Sequence, residues 1–140
     1  MMLCGCGPSA KQQAQAEFRQ AIAAMKVCTQ GSTYEEFREK RMALETYRAA
    51  HPDLATPAFN DLSDTMTATD TLWYFSIQHP TRRVEDDTST GDAAPKLLNK
   101  AINATLKGAQ IHIPNGDMRA SNYAQLGLTL ISIQCDELLK

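Results

Sequence analysis

A chain of 140 residues suits one ordinary domain with a single core, and 43% apolar against 21% charged residues is a globular rather than a disordered balance. The 14 basic and 16 acidic side chains leave a net charge of -2 and are interleaved, so the clustered cationic surface that nucleic acid requires is missing and no nucleic-acid partner is expected. No apolar run reaches the roughly 18 residues of a spanning helix, which leaves covalent or peripheral attachment as the routes to a membrane.

The chain starts Met1-Met2-Leu3-Cys4-Gly5-Cys6-Gly7. Within it, Leu3-Cys4-Gly5-Cys6 resembles the lipobox of bacterial lipoproteins, where a Leu and two small residues precede the Cys that receives the lipid. The resemblance implies that Cys6 is the lipid acceptor and that the mature chain is anchored to the envelope on the periplasmic side. It spans four residues, with Cys4 standing at one of the small positions. The basic and apolar stretch that precedes such a box is expected upstream of Met1; without that stretch the chain would be cytoplasmic. The other readings of Cys4 and Cys6 are incidental residues of a terminal tail, or a soft-metal Cys-x-Cys pair, although two thiols do not complete a tetrahedral site. Residues 1–9 are thus assigned to the signal remnant and tether, and 10–140 to the folded domain.

From Ala10 to about Cys28 helix formers dominate, and Ala14, Phe18, Ala21, Ile22, Met25 and Cys28 recur at three- and four-residue steps as one apolar stripe. Gln30-Gly31 is a stop. Ser32-x-x-Glu35 and Thr33-x-x-Glu36 offer overlapping capping boxes for a second helix, about 33–50, with Tyr34, Phe37, Met42, Leu44 and Tyr47 as its apolar set. His51-Pro52 breaks it, because a residue before proline is driven out of the helical region. Thr56-Pro57 caps a third helix, in which Phe59, Leu62, Met66, Thr69 and Trp73 alternate steps of three and four before His79-Pro80.

Residues 81–91 are polar and charged and read as a surface loop. Asp92 caps an expected helix to about Lys107, carrying Leu97, Leu98, Ala101, Ile102 and Leu106, and Gly108 ends it. Residues 110–117 read as an extended loop. The last segment is ambiguous: Leu126, Leu128 and Leu130 alternate like a strand, whereas Ala124, Leu128, Ile131, Cys135 and Leu138 fit a helix. Twenty residues exceed a usual strand, so helix is expected, apolar on more than one face and therefore central. The resulting fold is all-α, an antiparallel bundle of four to five helices in one domain.

Catalytic signatures are missing. None of His51, His79 and His112 has a metal-ligand partner one helical turn away, and no nucleophile motif or phosphate loop is present, so no catalytic residue, metal or cofactor is assigned. Asp61, Asp64 and Asp70 read as a solvated helix face, the alternative being a carboxylate turned inward as a ligand or proton site. Trp73-Tyr74-Phe75 is the candidate interaction surface, because three successive helical residues point about 100° apart and at least one must leave the core. Cys28 and Cys135 are either a disulfide, worth roughly 4–5 kcal/mol through the long loop it would close, or two buried thiols.

The expected role is a non-enzymatic, envelope-located interaction or structural module that binds another protein or itself. The alternatives are a small apolar-ligand binder with a pocket between helices lined by Trp73, Phe59, Met66 and Leu130, and an enzyme using carboxylates or His112 near Asn115-Gly116-Asp117.

Overall fold

In the computed structural model, which describes residues 9–78 and 120–140, each of the first three helices begins at the cap its sequence supplies. The readings for 1–8 and 79–119, among them Cys4, Cys6, His79, the 92–107 helix and the His112 loop, lie outside the described residues. α1 (Ala10–Cys28) opens on Ser9: its hydroxyl accepts the Gln12 amide at 3.1 Å, and the Gln12 side chain accepts the Ser9 amide at 3.0 Å. This reciprocal box satisfies donors that a helix start leaves without intrahelical partners. Gly31 then takes φ 148°, a conformation that L side chains rarely adopt, and the chain reverses.

α2 (Tyr34–Ala50) starts at the second of the two predicted caps, with Thr33 Oγ1 accepting the Glu36 amide at 3.1 Å, while Ser32 donates back to the Cys28 carbonyl at 2.9 Å. Pro52 ends it and begins a single 3-10 turn (Pro52–Leu54). α3 (Pro57–Gln78) follows, with Thr56 Oγ1 accepting the Phe59 amide at 3.2 Å. The ambiguous last segment is helical: α4 spans Ala120–Leu139.

Paired contacts set the helix directions. Tyr47, late in α2, donates its hydroxyl to the Ala14 carbonyl, early in α1. Tyr34, at the start of α2, reaches Asp70 towards the end of α3. Arg19 donates to the Leu139 carbonyl at 2.6 Å, while Lys26, further along α1, pairs with Asp136, earlier in α4. Neighbouring helices in the bundle therefore run antiparallel, and contacts between α1 and α2, α2 and α3, α3 and α4, and α4 and α1 close a ring among the described residues. Among the described residues this is an all-α, four-helix antiparallel bundle.

The stripe read along α1 faces the core: Ile22, Met25 and Cys28 are buried, and Phe18 and Ala21 pack against them. Phe37 and Leu44 of α2, Phe59, Leu62 and Met66 of α3, and Leu128, Ile131 and Cys135 of α4 complete the cluster. α4 also buries Tyr123, Ala124 and Leu130, which is the multi-face burial its composition implied.

The closest packing in the ring is between α3 and α4, where α3 turns a row of hydroxyl residues into apolar surface. Thr65 donates to the Asp61 carbonyl at 2.9 Å and Thr69 to the Thr65 carbonyl at 2.7 Å. A hydroxyl folded back on its own helix is satisfied without a partner across the interface, so both threonines sit fully buried with little bulk. Gly127 of α4 meets this surface: a Cβ there would lie 2.0 Å from Thr69 Oγ1 and 3.0 Å from Thr69 Cβ, so rotating the threonine cannot make room. Gly127→Ala should therefore lower the unfolding free energy by about 1–2 kcal/mol, the overpacking cost exceeding the roughly 1 kcal/mol gained in helix propensity. Adding Thr69→Ala should recover much of that loss in a double-mutant cycle by urea unfolding. A neutral Gly127→Ala would mean that the two helices stand further apart.

The Cys28–Cys135 disulfide is not formed. Both thiols belong to the same core cluster, but both are free and not at bonding distance. Near this level the α1–α4 interface is instead bridged by the partly exposed Lys26–Asp136 ion pair. Burial pushes the Cys135 thiol up to about 12, with the Asp136 charge adding to the rise and Lys26 opposing it. Only on the order of a ten-thousandth of it is ionised at pH 8, so Cys135 acts as a small apolar side chain.

Candidate docking surface

The surface arises from the poverty of α2 in core residues. Of its 17 residues only Phe37 and Leu44 are buried, so apolar packing against α3 is thin and polar contacts hold the seam. Asp70, 7% exposed, accepts the Tyr34 hydroxyl on Oδ1 at 2.5 Å and Arg41 Nε on Oδ2 at 2.7 Å. Both carboxylate oxygens are thereby occupied by donors from α2, which is what a buried charge needs. Two turns earlier in α3, the Ser63 hydroxyl donates to Glu45, and Arg48 Nη1 approaches Glu45 and Ser63 at 3.4 Å each. At the Asp70 end of the seam Phe37 packs on Trp73 with ring centroids 5.5 Å apart, and Tyr34 meets the same indole edge-on at 5.7 Å.

Tyr34 has its hydroxyl pushed up to about 12, first by burial, then by the hydrogen bond it gives Asp70 and by the charge of that carboxylate, with Arg38 and Arg41 pulling the other way. The folded state thus holds this proton more tightly than the unfolded chain, whose tyrosines ionise near 10. The associated stability is complete below pH 10 and is lost as pH rises towards 12. Tyr34→Phe should flatten the fall in unfolding free energy between pH 10 and 12, and tyrosinate absorbance should show one phenol fewer ionising late. An unchanged alkaline slope would count against the Tyr34–Asp70 contact.

Outward from the clamp the seam opens. Met42, Tyr74 and Ile77 are 54%, 49% and 52% exposed, and with Tyr34 they give an apolar lining to an open cleft of about 460 Å³. Glu35, Arg38 and Glu39 form its charged rim. A second depression of about 410 Å³ lies over the Tyr34–Asp70–Arg41 clamp and shares Tyr34, Arg38 and Tyr74 with the first. The two are one continuous surface along the α2–α3 seam.

The structure separates the residues of the Trp73-Tyr74-Phe75 candidate. Phe75 is 5% exposed and belongs to the interior, Trp73 is half-buried against Phe37 and Tyr34, and Tyr74 alone of the three reaches the open surface. Asp61 and Asp64 are exposed, as a solvated face requires, but Asp70 is not. Its position was legible in one respect, since Leu62, Met66 and Asp70 are four residues apart and share a face. Met42, read as part of the apolar set of α2, is exposed instead, and so is Ile77. The interhelical pocket expected from Trp73, Phe59, Met66 and Leu130 does not coincide with either depression: Phe59, Met66 and Leu130 are at most 1% exposed and fill the core.

His51 stacks on Tyr47 at 4.5 Å in the turn after α2, and the Ser76 hydroxyl donates to the Trp73 carbonyl at 2.6 Å. Among the described residues no three His, Cys, Asp or Glu side chains gather to hold a metal, and no helix is long and apolar enough to cross a membrane. No family model, curated protein or solved structure matches this chain.

Proposed function

We propose that the chain is a non-catalytic helical docking domain, held at the bacterial envelope by a lipid on Cys6, that binds a protein partner through the α2–α3 face. The observation that carries the docking half is the grouping of Met42, Tyr74 and Ile77, each about half exposed, around one cleft beside Arg38. Single exposed apolar residues are ordinary, whereas several lining one depression mark a site of association. Aromatic residues, Met and Arg are also the types enriched where proteins meet. The anchoring half rests on the lipobox-like Leu3-Cys4-Gly5-Cys6.

Two experiments test the halves separately. A photo-crosslinking amino acid at Tyr74, in the chain expressed from its own genomic context, should yield a discrete adduct that Met42→Asp abolishes while the helical circular dichroism is retained. The docking half fails if neither position 74 nor position 77 gives an adduct. Metabolic labelling with an alkyne fatty acid should mark the chain and vanish in Cys6→Ser; an unlabelled parent chain removes the anchor.

A further inference from the structure

The α3–α4 pair is buried on two sides, and only one of them belongs to the ring of four helices. Phe59 and Met66 of α3 and Leu128 and Cys135 of α4 face the central cluster. Ala68, Leu72 and Phe75 are at most 5% exposed. At about 100° per residue they nevertheless lie roughly 120–180° around α3 from Phe59 and Met66. On α4, Leu130 is 1% exposed, and Leu126 and Ile133 are partly buried. These three stand roughly 140–180° from Leu128 and Cys135. None of the six belongs to the central cluster.

The two outer arcs adjoin. Thr69 and Gly127 mark where the helices touch, and past that contact, away from the cluster, come Leu72 and Ala68 on α3 and Leu130 on α4. A helix packed against its neighbours on one side leaves the opposite arc to solvent, so a phenyl ring buried at Phe75 requires a further layer. We infer that the amphipathic segment 92–107 of this chain lies across the outer face and makes α3–α4 the middle of three layers. Residues 79–119 leave α3 at Gln78 and rejoin α4 at Ala120, and the antiparallel pair puts both points at the end that carries Phe75 and Tyr123. At helical spacing the segment gathers Leu97, Leu98, Ala101 and Ile102 on one arc and Lys96, Asn99, Lys100 and Asn103 on the other. Its apolar length from Leu97 to Leu106 is about 13.5 Å, close to the roughly 15 Å from Tyr123 to Ile133 along α4. A segment tethered at both ends also acts at an effective concentration on the order of millimolar, which favours it over a second copy. The α2–α3 cleft is not its seat, because Met42, Tyr74 and Ile77 are about half exposed whereas Leu72 and Leu130 are covered. The docking face is thereby left open.

A benzophenone amino acid placed at position 98 or 102 of the full-length chain, irradiated at low micromolar concentration, should crosslink within the same molecule. Mass spectrometry should place the adducts between 68 and 75 of α3 or between 126 and 133 of α4, and the same group at 103 should give none there. Leu98→Ala should lower the melting temperature by on the order of 10 °C, and Asn103→Ala should leave it nearly unchanged. Adducts that join two copies overturn the inference and make the covering layer a second chain. Adducts confined to α1 or α2, none from either 98 or 102, or equal melting temperatures for the two alanine variants overturn it as well.

Discussion

Truncating Phe59 to Ala is expected to cost about 3–5 kcal/mol, the range for removing a fully buried aromatic from a packed core. Phe59 is 0% exposed, lies 5.0 Å ring to ring from Phe18 of α1, and belongs to a cluster that includes residues of all four described helices. Its removal opens a cavity where α1 and α3 meet, and the surrounding side chains come from too many elements to close it together. Against a typical total of about 5–15 kcal/mol, this is a third or more of the stability and on the order of 10 °C in melting temperature. Phe59→Leu, which keeps most of the volume, should lose less than half as much. Val27→Ala, at a position 67% exposed, should change stability by under about 0.5 kcal/mol and serves as the control. Equal melting temperatures for Phe59→Ala and Val27→Ala would refute the packing described for α1 and α3.

Asp70→Asn should cost about 2–4 kcal/mol despite preserving shape. The Tyr34 hydroxyl and Arg41 Nε both donate to this carboxylate, and an amide has one oxygen for the two of them, so one donor must face an NH₂. The charge that balances Arg41 also disappears. Arg41 keeps 23% of its side chain exposed, so water recovers part of its loss and places the expected cost in the lower half of the range. Because α2 buries only Phe37 and Leu44, this clamp carries an unusual share of the hold on that helix. Asp70→Asn should therefore also speed backbone hydrogen exchange in α2 ahead of α1 and α4. Asp64→Asn, on the exposed face of the same helix, should stay within about 0.5 kcal/mol. A cost for Asp70→Asn as small as that would show that Phe37 and Leu44 hold the seam unaided. A cycle with Tyr34→Phe should return a coupling of about 1 kcal/mol, since the two changes remove one shared bond.

Both predictions concern side chains whose neighbours are distant in sequence, and that marks the line between what was legible and what was not. Helix starts are local events: Ser9, Thr33 and Thr56 each accept an amide three residues ahead, so the chemistry that places them sits inside a four-residue window. Apolar periodicity is nearly as local, and it oriented α1 correctly. On α2 and α3 it named the right class of residue but not the burial: Met42, five residues after Phe37 and two before Leu44, falls off the buried stripe and stays exposed. Asp70 fails in the opposite sense: a carboxylate reads as solvated until Tyr34 and Arg41, 36 and 29 residues away, are known to converge on it.

The two cysteines show the same limit at finer scale. Apolar spacing placed Cys28 and Cys135 in the core, and both are there, but membership of one cluster does not set the separation and orientation that a disulfide requires. Gly127 carried no signal as an isolated glycine inside a helical pattern; its reason is the Thr69 side chain on the facing helix.

For this protein the sequence by itself determined the helical class and the helix caps, because both depend on interactions a few residues long. Only the tertiary structure decided which polar groups could be buried, which apolar groups were left on the surface and how closely two helices approach. Those outcomes depend on which faces of separate helices meet, and the α2–α3 cleft exists only once they have met.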